Sequence, residues 1–171
     1  MSPAYVMALS IGFVAVVTDL RSRRIPNVLT FGSALAALAY HLVTGGGSGF
    51  AGASLGWLAG VAFFFLPFAL GGLGGGDVKL MGALGAWLGA ATAVWVALYA
   101  GIAGGLLALV VAAYRGYLGT ALGNLWLLLM HWRVSGPRPL DELTLEGGHG
   151  PRLAYAVPIF VGILVTTWLH S

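Results

Sequence analysis

Long apolar runs, separated by short polar segments, make up most of this chain of 171 residues. Only 8% of the residues are charged and 59% are hydrophobic, whereas a soluble domain carries about 25% charged residues. Most side chains must therefore face lipid or one another. We predict an all-α, polytopic membrane helix bundle, a single domain over residues 1–171, with the lipid bilayer as its surroundings.

Six apolar segments are predicted to cross the bilayer, for which about 20 residues suffice. They are residues 3–18, 28–43, 50–70, 80–89, 92–113 and 153–168. The run 80–113 would be about 51 Å long as one helix, so we divide it near Gly89. We expect Pro158, inside the last segment, to kink its helix.

Residues 117–132 are apolar but are interrupted by Gly119, Gly123 and Asn124. They either cross the membrane or form a helix in the interface. We favour the interface, because a crossing would place this segment's charged neighbours opposite the other charged loops. The polar residues 133–152 are then predicted to form a cytoplasmic loop.

With six crossings, all eight cations and all five acids fall on one side of the membrane. By the positive-inside rule, that side is the cytoplasm and both termini are periplasmic. The net charge of +3 thus reflects orientation, and we expect no nucleic-acid partner. The absence of cysteine and the scatter of the four histidines predict no metal site, and nothing in the sequence indicates a cofactor.

Two carboxylates stand out at the ends of apolar runs. Asp77 ends the glycine-rich stretch 70–76, and Asp19 ends the first apolar run. An unpaired charge beside hydrocarbon is costly, so such residues are candidates for function. The predicted topology places both at the cytoplasmic face, where they can act as partners. The alternatives are a helix cap for Asp77 and an interfacial ion pair with a neighbouring arginine for Asp19.

Two carboxyl groups held close together share a proton, because both cannot easily be ionised. The ionised member can activate water while the protonated member polarises a carbonyl, which is the chemistry of aspartic proteases. Asp77 lies near a helix N-terminus, which favours the carboxylate, and Asp19 lies near a helix C-terminus, which disfavours it. We therefore expect Asp77 to be the base and Asp19 the acid.

Glycines have two predicted roles. Gly52, Gly56 and Gly60 recur every four residues, so they share one helix face and allow close packing of a neighbouring helix. Gly74, Gly75 and Gly76 are expected to adopt positive φ and to let a substrate strand approach the carboxylates. These three are candidate substrate-binding or supporting residues.

Three further residues lie beside the carboxylates. Lys79 is either a topology determinant or a group that tunes Asp77 and binds substrate. Pro26 fits the first turn of the second helix, and Asn27 either caps that helix or forms a hydrogen bond near Asp19.

The two motifs together resemble those of the type IV prepilin peptidases, membrane aspartyl proteases with a Gly-x-Gly-Asp motif. They are Asp19 followed by Arg24-Ile25-Pro26-Asn27, and Gly74-Gly75-Gly76-Asp77-Val78-Lys79. The resemblance implies that Asp19 and Asp77 are catalytic. It also implies that the substrate is a pilin precursor, whose short basic leader is removed at the cytoplasmic face of a bacterial inner membrane.

Larger members of that family carry a cysteine-rich zinc site and also N-methylate the new terminus. This chain has no cysteine and is similar to the compact branch associated with Flp/Tad-type pili, so we do not expect methylation. Two other functions stay open: an intramembrane aspartyl protease acting on other signal peptides, and a small proton- or ion-coupled transporter or assembly scaffold. The sequence does not specify an oligomeric state.

Overall fold

The computed structural model describes residues 2–136 and 154–170, and all regular secondary structure within them is α-helical. The helices are α1 (Pro3–Ser22), α2 (Asn27–Ala69), α3 (Gly75–Leu88), α4 (Ala90–Tyr114), α5 (Leu118–Ser135) and α6 (Ala156–His170). Three of these, α1, α2 and α4, are long and apolar enough to cross a membrane. The predicted all-α membrane bundle is confirmed, while the count of six crossings stays a prediction.

Helix α2 is a hairpin of two arms. Its continuity is broken at Gly46, whose φ of 62° and ψ of −149° are not helical. We call residues 27–45 the first arm and residues 47–69 the second arm. They correspond to the second and third apolar segments of the sequence. A glycine is needed at the break because other residues rarely adopt this conformation.

The two arms run in opposite directions along α3. In the first arm, Asn27 contacts Lys79 near the start of α3, and His41 contacts the carbonyl of Trp87 near its end. In the second arm the order is reversed, because Gly56 lies against Gly85 and Gly60 lies against Met81. The hairpin therefore encloses α3 from two sides.

Helix α3 is the centre of the bundle. Ten of its 14 residues are buried, and Leu80, Met81 and Leu84 are completely inaccessible. A helix that is apolar on every side must be surrounded by other helices or by lipid. Here it packs against α1, both arms of α2 and α4. Its position fixes the place of Asp77, which lies in its first turn.

Glycine packing follows the predicted four-residue spacing only in part. A methyl group on Gly56 would collide with the carbonyl oxygen of Gly85, and one on Gly60 with that of Met81. A methyl group on Gly52, in contrast, would have no neighbouring atom within 4 Å. The close approach of the helices thus depends on Gly56 and Gly60, and the prediction was wrong for Gly52, because the contact with α3 ends near Gly89.

Helices α4 and α6 complete the bundle. The predicted division of the long apolar run is confirmed at Gly89, which has a φ of 82° and separates α3 from α4. The prediction that Pro158 kinks the last helix was wrong. Helix α6 begins at Ala156, so Pro158 lies in its first turn, where its missing N–H needs no partner.

Helix α5 lies at the periphery. None of its residues with described side chains is buried, and it is not among the helices long and apolar enough to cross a membrane. Whether it lies in the interface or crosses the membrane stays a prediction. Most of the predicted cytoplasmic loop, residues 137–152, lies outside the described residues.

Replacing Gly56 by alanine should destabilise the bundle, because the added methyl group forces α2 away from α3. We expect a loss of about 1–3 kcal/mol, as for other overpacked cores. Gly52→Ala is the matched control, since it adds the same methyl group on the same helical arm into open space. Thermal unfolding in detergent should give a lower midpoint for Gly56→Ala alone. Equal midpoints for the two variants would contradict this account of the α2–α3 contact.

Candidate active site

Asp77 is the third residue of α3 and is only 8% exposed. Its Oδ2 accepts a hydrogen bond of 3.1 Å from the backbone N–H of Gly74, the residue that caps the helix. The carboxylate therefore satisfies one of the free N–H groups at the start of the helix. The predicted location near a helix N-terminus is confirmed, although Asp77 itself is not the capping residue.

Asp19 lies in the last turn of α1 and is likewise 8% exposed. Its Oδ2 accepts a hydrogen bond of 3.3 Å from the backbone N–H of Ala156, the first residue of α6. The carboxylate of Asp19 is thus positioned by two helices that are distant in sequence. This contact is buried, so the bond is not exchanged readily for one to water.

The two carboxyl groups influence each other at one end of the bundle. Asp77 lies just before the apolar segment that begins at Leu80, so it is outside the predicted membrane crossing. Burial raises the pKa of Asp77 from its ordinary value of 3.8 to about 7, the hydrogen bond from Gly74 opposes this rise, and the charge of Asp19 adds to it. Asp77 therefore keeps its proton to a much higher pH than an exposed aspartate does.

The raised pKa of Asp77 argues against the role of base that its helix end suggested. The sequence argument considered only the C-terminus of α1 beside Asp19. In the structure the N-terminus of α6 also faces Asp19 and donates a hydrogen bond to it, and a helix N-terminus stabilises negative charge. Burial outweighs the favourable helix end at Asp77.

The glycines directly before Asp77 have ordinary backbone angles. Gly75 and Gly76 are the first two residues of α3, and in the stretch from Gly71 to Gly76 only Gly71 has a positive φ, of 78°. A methyl group on Gly76 would lie 3.4 Å from Ile25. The expectation of positive φ at Gly74, Gly75 and Gly76 was wrong, because the helix starts earlier than the sequence suggested.

Lys79 and Asn27 form a contact between α3 and the start of α2. The Lys79 Nζ donates a hydrogen bond of 3.0 Å to Asn27 Oδ1 and lies 5.3 Å from the ring centroid of Phe31. Pro26 occupies the position just before α2, with extended backbone angles. These residues fix the first arm of α2 beside the α3 turn that carries Asp77.

Among the described residues, no three His, Asp or Glu side chains come together as metal ligands. The expectations of no metal and no cofactor stay predictions. The groups described at this end of the bundle include the two carboxyl groups and the backbone N–H groups that bind them.

Residues 6–109 match the profile of the type IV leader peptidase family. The chain belongs to this family. No curated protein and no solved structure matches it significantly. The matched region contains both Asp19 and Asp77, and family membership makes the chain a protease of the membrane.

Helix α6 lies beyond the region that matches the leader peptidase profile, but its start contributes to this end of the bundle. Besides the N–H of Ala156, it brings Tyr155, the residue just before the helix, close to Asp77. The Tyr155 hydroxyl is near enough to Asp77 to interact with its charge. The ring meets Phe64 edge-on, with 6.0 Å between centroids.

Sequence reasoning did not identify Tyr155 or Ala156 as part of the site. The one available signal was Pro158, which is typical of the first turn of a helix. Placing the start of α6 there would have put its free N–H groups on the same side of the membrane as Asp19.

The raised pKa of Asp77 predicts that the leader peptidase loses stability as the pH rises. The folded state binds the Asp77 proton more tightly than the unfolded chain, so unfolding becomes easier between about pH 4 and pH 7. A rise from 3.8 to about 7 corresponds to about 4 kcal/mol. Thermal midpoints of the wild type should therefore fall between pH 5 and pH 8.

Asp77→Asn is the control for this titration, because asparagine can still accept the Gly74 hydrogen bond but carries no proton to lose. We expect its midpoint to change less with pH than that of the wild type. If both proteins show the same pH dependence, another group is responsible and the proton is not held by Asp77.

Proposed function

We propose that the chain is a membrane aspartyl endopeptidase that removes the short basic leader from type IV, Flp-like prepilins, using Asp19 and Asp77 as a catalytic dyad. The observation that carries the proposal is the burial of both carboxyl groups at one end of the bundle, where the charge of one raises the pKa of the other. Membership of the leader peptidase family supports the substrate class.

The first step of the reaction assigns a role to each carboxyl group. The Asp19 carboxylate takes a proton from a water molecule, whose oxygen attacks the carbonyl carbon of the scissile peptide bond. Protonated Asp77 donates its proton toward the carbonyl oxygen. The product is a neutral tetrahedral diol, with Asp19 now protonated and Asp77 ionised.

The second step breaks the C–N bond. Asp19 returns its proton to the leaving nitrogen, and one hydroxyl proton of the diol passes back to Asp77 as the new carboxylic acid forms. The dyad is then in its starting state, and one water molecule has been consumed. The N–H of Ala156 supports this cycle because it stabilises the ionised form of Asp19.

Orientation follows from the charged residues. We place the dyad at the cytoplasmic face of a bacterial inner membrane and both termini in the periplasm, because the cations adjoin the carboxylates in the sequence. The segment that follows α5 would then lie on the cytoplasmic side, within a single peptidase domain. The leader would reach the dyad from the cytoplasm without crossing the bilayer.

Asp19→Asn and Asp77→Asn should each abolish cleavage of a co-expressed type IV prepilin. Residues that act as one catalytic unit lose nearly all activity when either is removed, so we expect at least a ~1,000-fold lower rate for each. Membrane levels and thermal midpoints of both variants serve as controls for folding. Processing at the normal rate by either variant would refute the dyad and favour a transporter or scaffold.

The pH dependence of the rate tests which carboxyl group is the acid. Because Asp77 with a pKa of about 7 must be protonated in the first step, kcat/KM for prepilin cleavage should fall as the pH rises above about 7. The measurement is a series from pH 5 to pH 9 in detergent or nanodiscs. A rate that keeps rising up to pH 9 would instead assign the role of base to Asp77.

A further inference from the structure

An apolar groove of about 620 Å³ lies between the second arm of α2 and α4. Phe63 and Pro67 form one wall, and Leu98 and Ile102 form the other. Phe63, Leu98 and Ile102 are exposed at the surface of the bundle. Since both walls belong to helices that are long and apolar enough to cross a membrane, the groove opens toward lipid.

The groove is continuous with the candidate active site. Leu73 lines one end of it, and the next residue, Gly74, donates its N–H to Asp77. Tyr155 lines the groove as well and lies close enough to Asp77 to sense its charge. A molecule lying in the groove would therefore end beside Asp77.

The chemistry of the groove favours an apolar helix as its occupant. The volume lies within the range of ordinary ligand clefts, about 300–1,000 Å³, but those clefts contain several polar groups that orient a small ligand. Among the described residues that line this groove, the only polar side chain is that of Tyr155. Gly101 lies in the α4 wall and has open space around it, which permits the close approach typical of packed membrane helices.

We propose that this groove binds the transmembrane helix of the substrate, with the N-terminal end of that helix beside Leu73 and Tyr155. The inference rests on the proposed function, because it takes a membrane-anchored precursor as the substrate. The direction follows from the site: the bond to be cut precedes the apolar helix, so the start of that helix must lie at the end of the groove nearest Asp77. The groove thereby selects precursors with an apolar helix directly after the cleaved bond.

Photocrosslinking tests the position of the substrate. A photoreactive phenylalanine analogue replaces Gly101 in the Asp77→Asn background, in membranes that contain a type IV prepilin. The control carries it at Gly32, which is also helical and surrounded by open space but lies on the first arm, away from the groove. We expect a prepilin adduct from position 101 and at least tenfold less from position 32.

Three other crosslinking results would overturn the proposal. They are equal prepilin adducts from both positions, an adduct of the chain with a second copy of itself from position 101, and adducts of position 101 with lipid alone. The second would make the groove an interface between copies, and the third would make it an ordinary lipid contact.

Cleavage rates separate this proposal from the proposed function. Gly101→Leu fills the groove without touching the dyad, so it should slow cleavage of the full precursor at least tenfold. It should leave cleavage of a soluble leader peptide that lacks the apolar helix within twofold of the wild type, and Gly32→Leu should leave both rates unchanged. Equal slowing of both substrates, or no slowing of the precursor, would refute the groove as the docking site.

If the wild type cuts neither substrate but position 101 still crosslinks to the prepilin, the groove stands as the binding site and the peptidase proposal fails. If the wild type cuts both substrates but position 101 gives no prepilin adduct, the peptidase proposal stands and the groove proposal fails.

Discussion

The burial of α3 on nearly every side, over residues 80–87, is the constraint on which the rest of this structure depends. A helix with no polar face can be surrounded only if its neighbours come very close, and here Gly56 and Gly60 of the second arm rest directly on its backbone. Because the helix is enclosed, its first turn is enclosed too, and Asp77 is carried out of water with it. The raised pKa of this carboxyl group is therefore a consequence of helix packing rather than of a specific acidic partner alone.

The difference between the two aspartates arises from what surrounds each carboxyl group. Asp77 has a favourable helix end and one N–H donor but is dominated by burial, whereas Asp19 receives the N-terminus of α6 in addition to its own helix. A pair that shared identical surroundings would have no fixed acid and no fixed base. In the proposed mechanism the start of α6 supplies the asymmetry, so this helix would belong to the site although it lies outside the region that the family profile matches.

Hydropathy predicted most of the architecture because membrane helices are specified by apolar length. It predicted α1, both arms of α2 and the break at Gly89, and counting crossings brought Asp19 and Asp77 to the same end. It did not predict the hydrogen bond from the backbone N–H of Ala156 to Asp19. A backbone N–H belongs to almost every residue, so no residue type in the sequence marks it. The glycine spacing predicted a packing role for Gly52, Gly56 and Gly60, but only Gly56 and Gly60 contact α3. Spacing shows which glycines share a helix face, but it does not show how far the neighbouring helix extends.

The location of the proposed dyad at the end of the bundle fits what a protease must do to its substrate. A peptide bond inside a helix has its carbonyl engaged, so the segment to be cut must first lose its helical hydrogen bonds. In hydrocarbon each freed backbone group costs several kcal/mol, whereas at the end of the bundle water can bind these groups and can also enter as the reactant. An apolar groove that holds the helical part of the substrate in lipid, and stops beside Asp77, separates the two environments that binding and cleavage require.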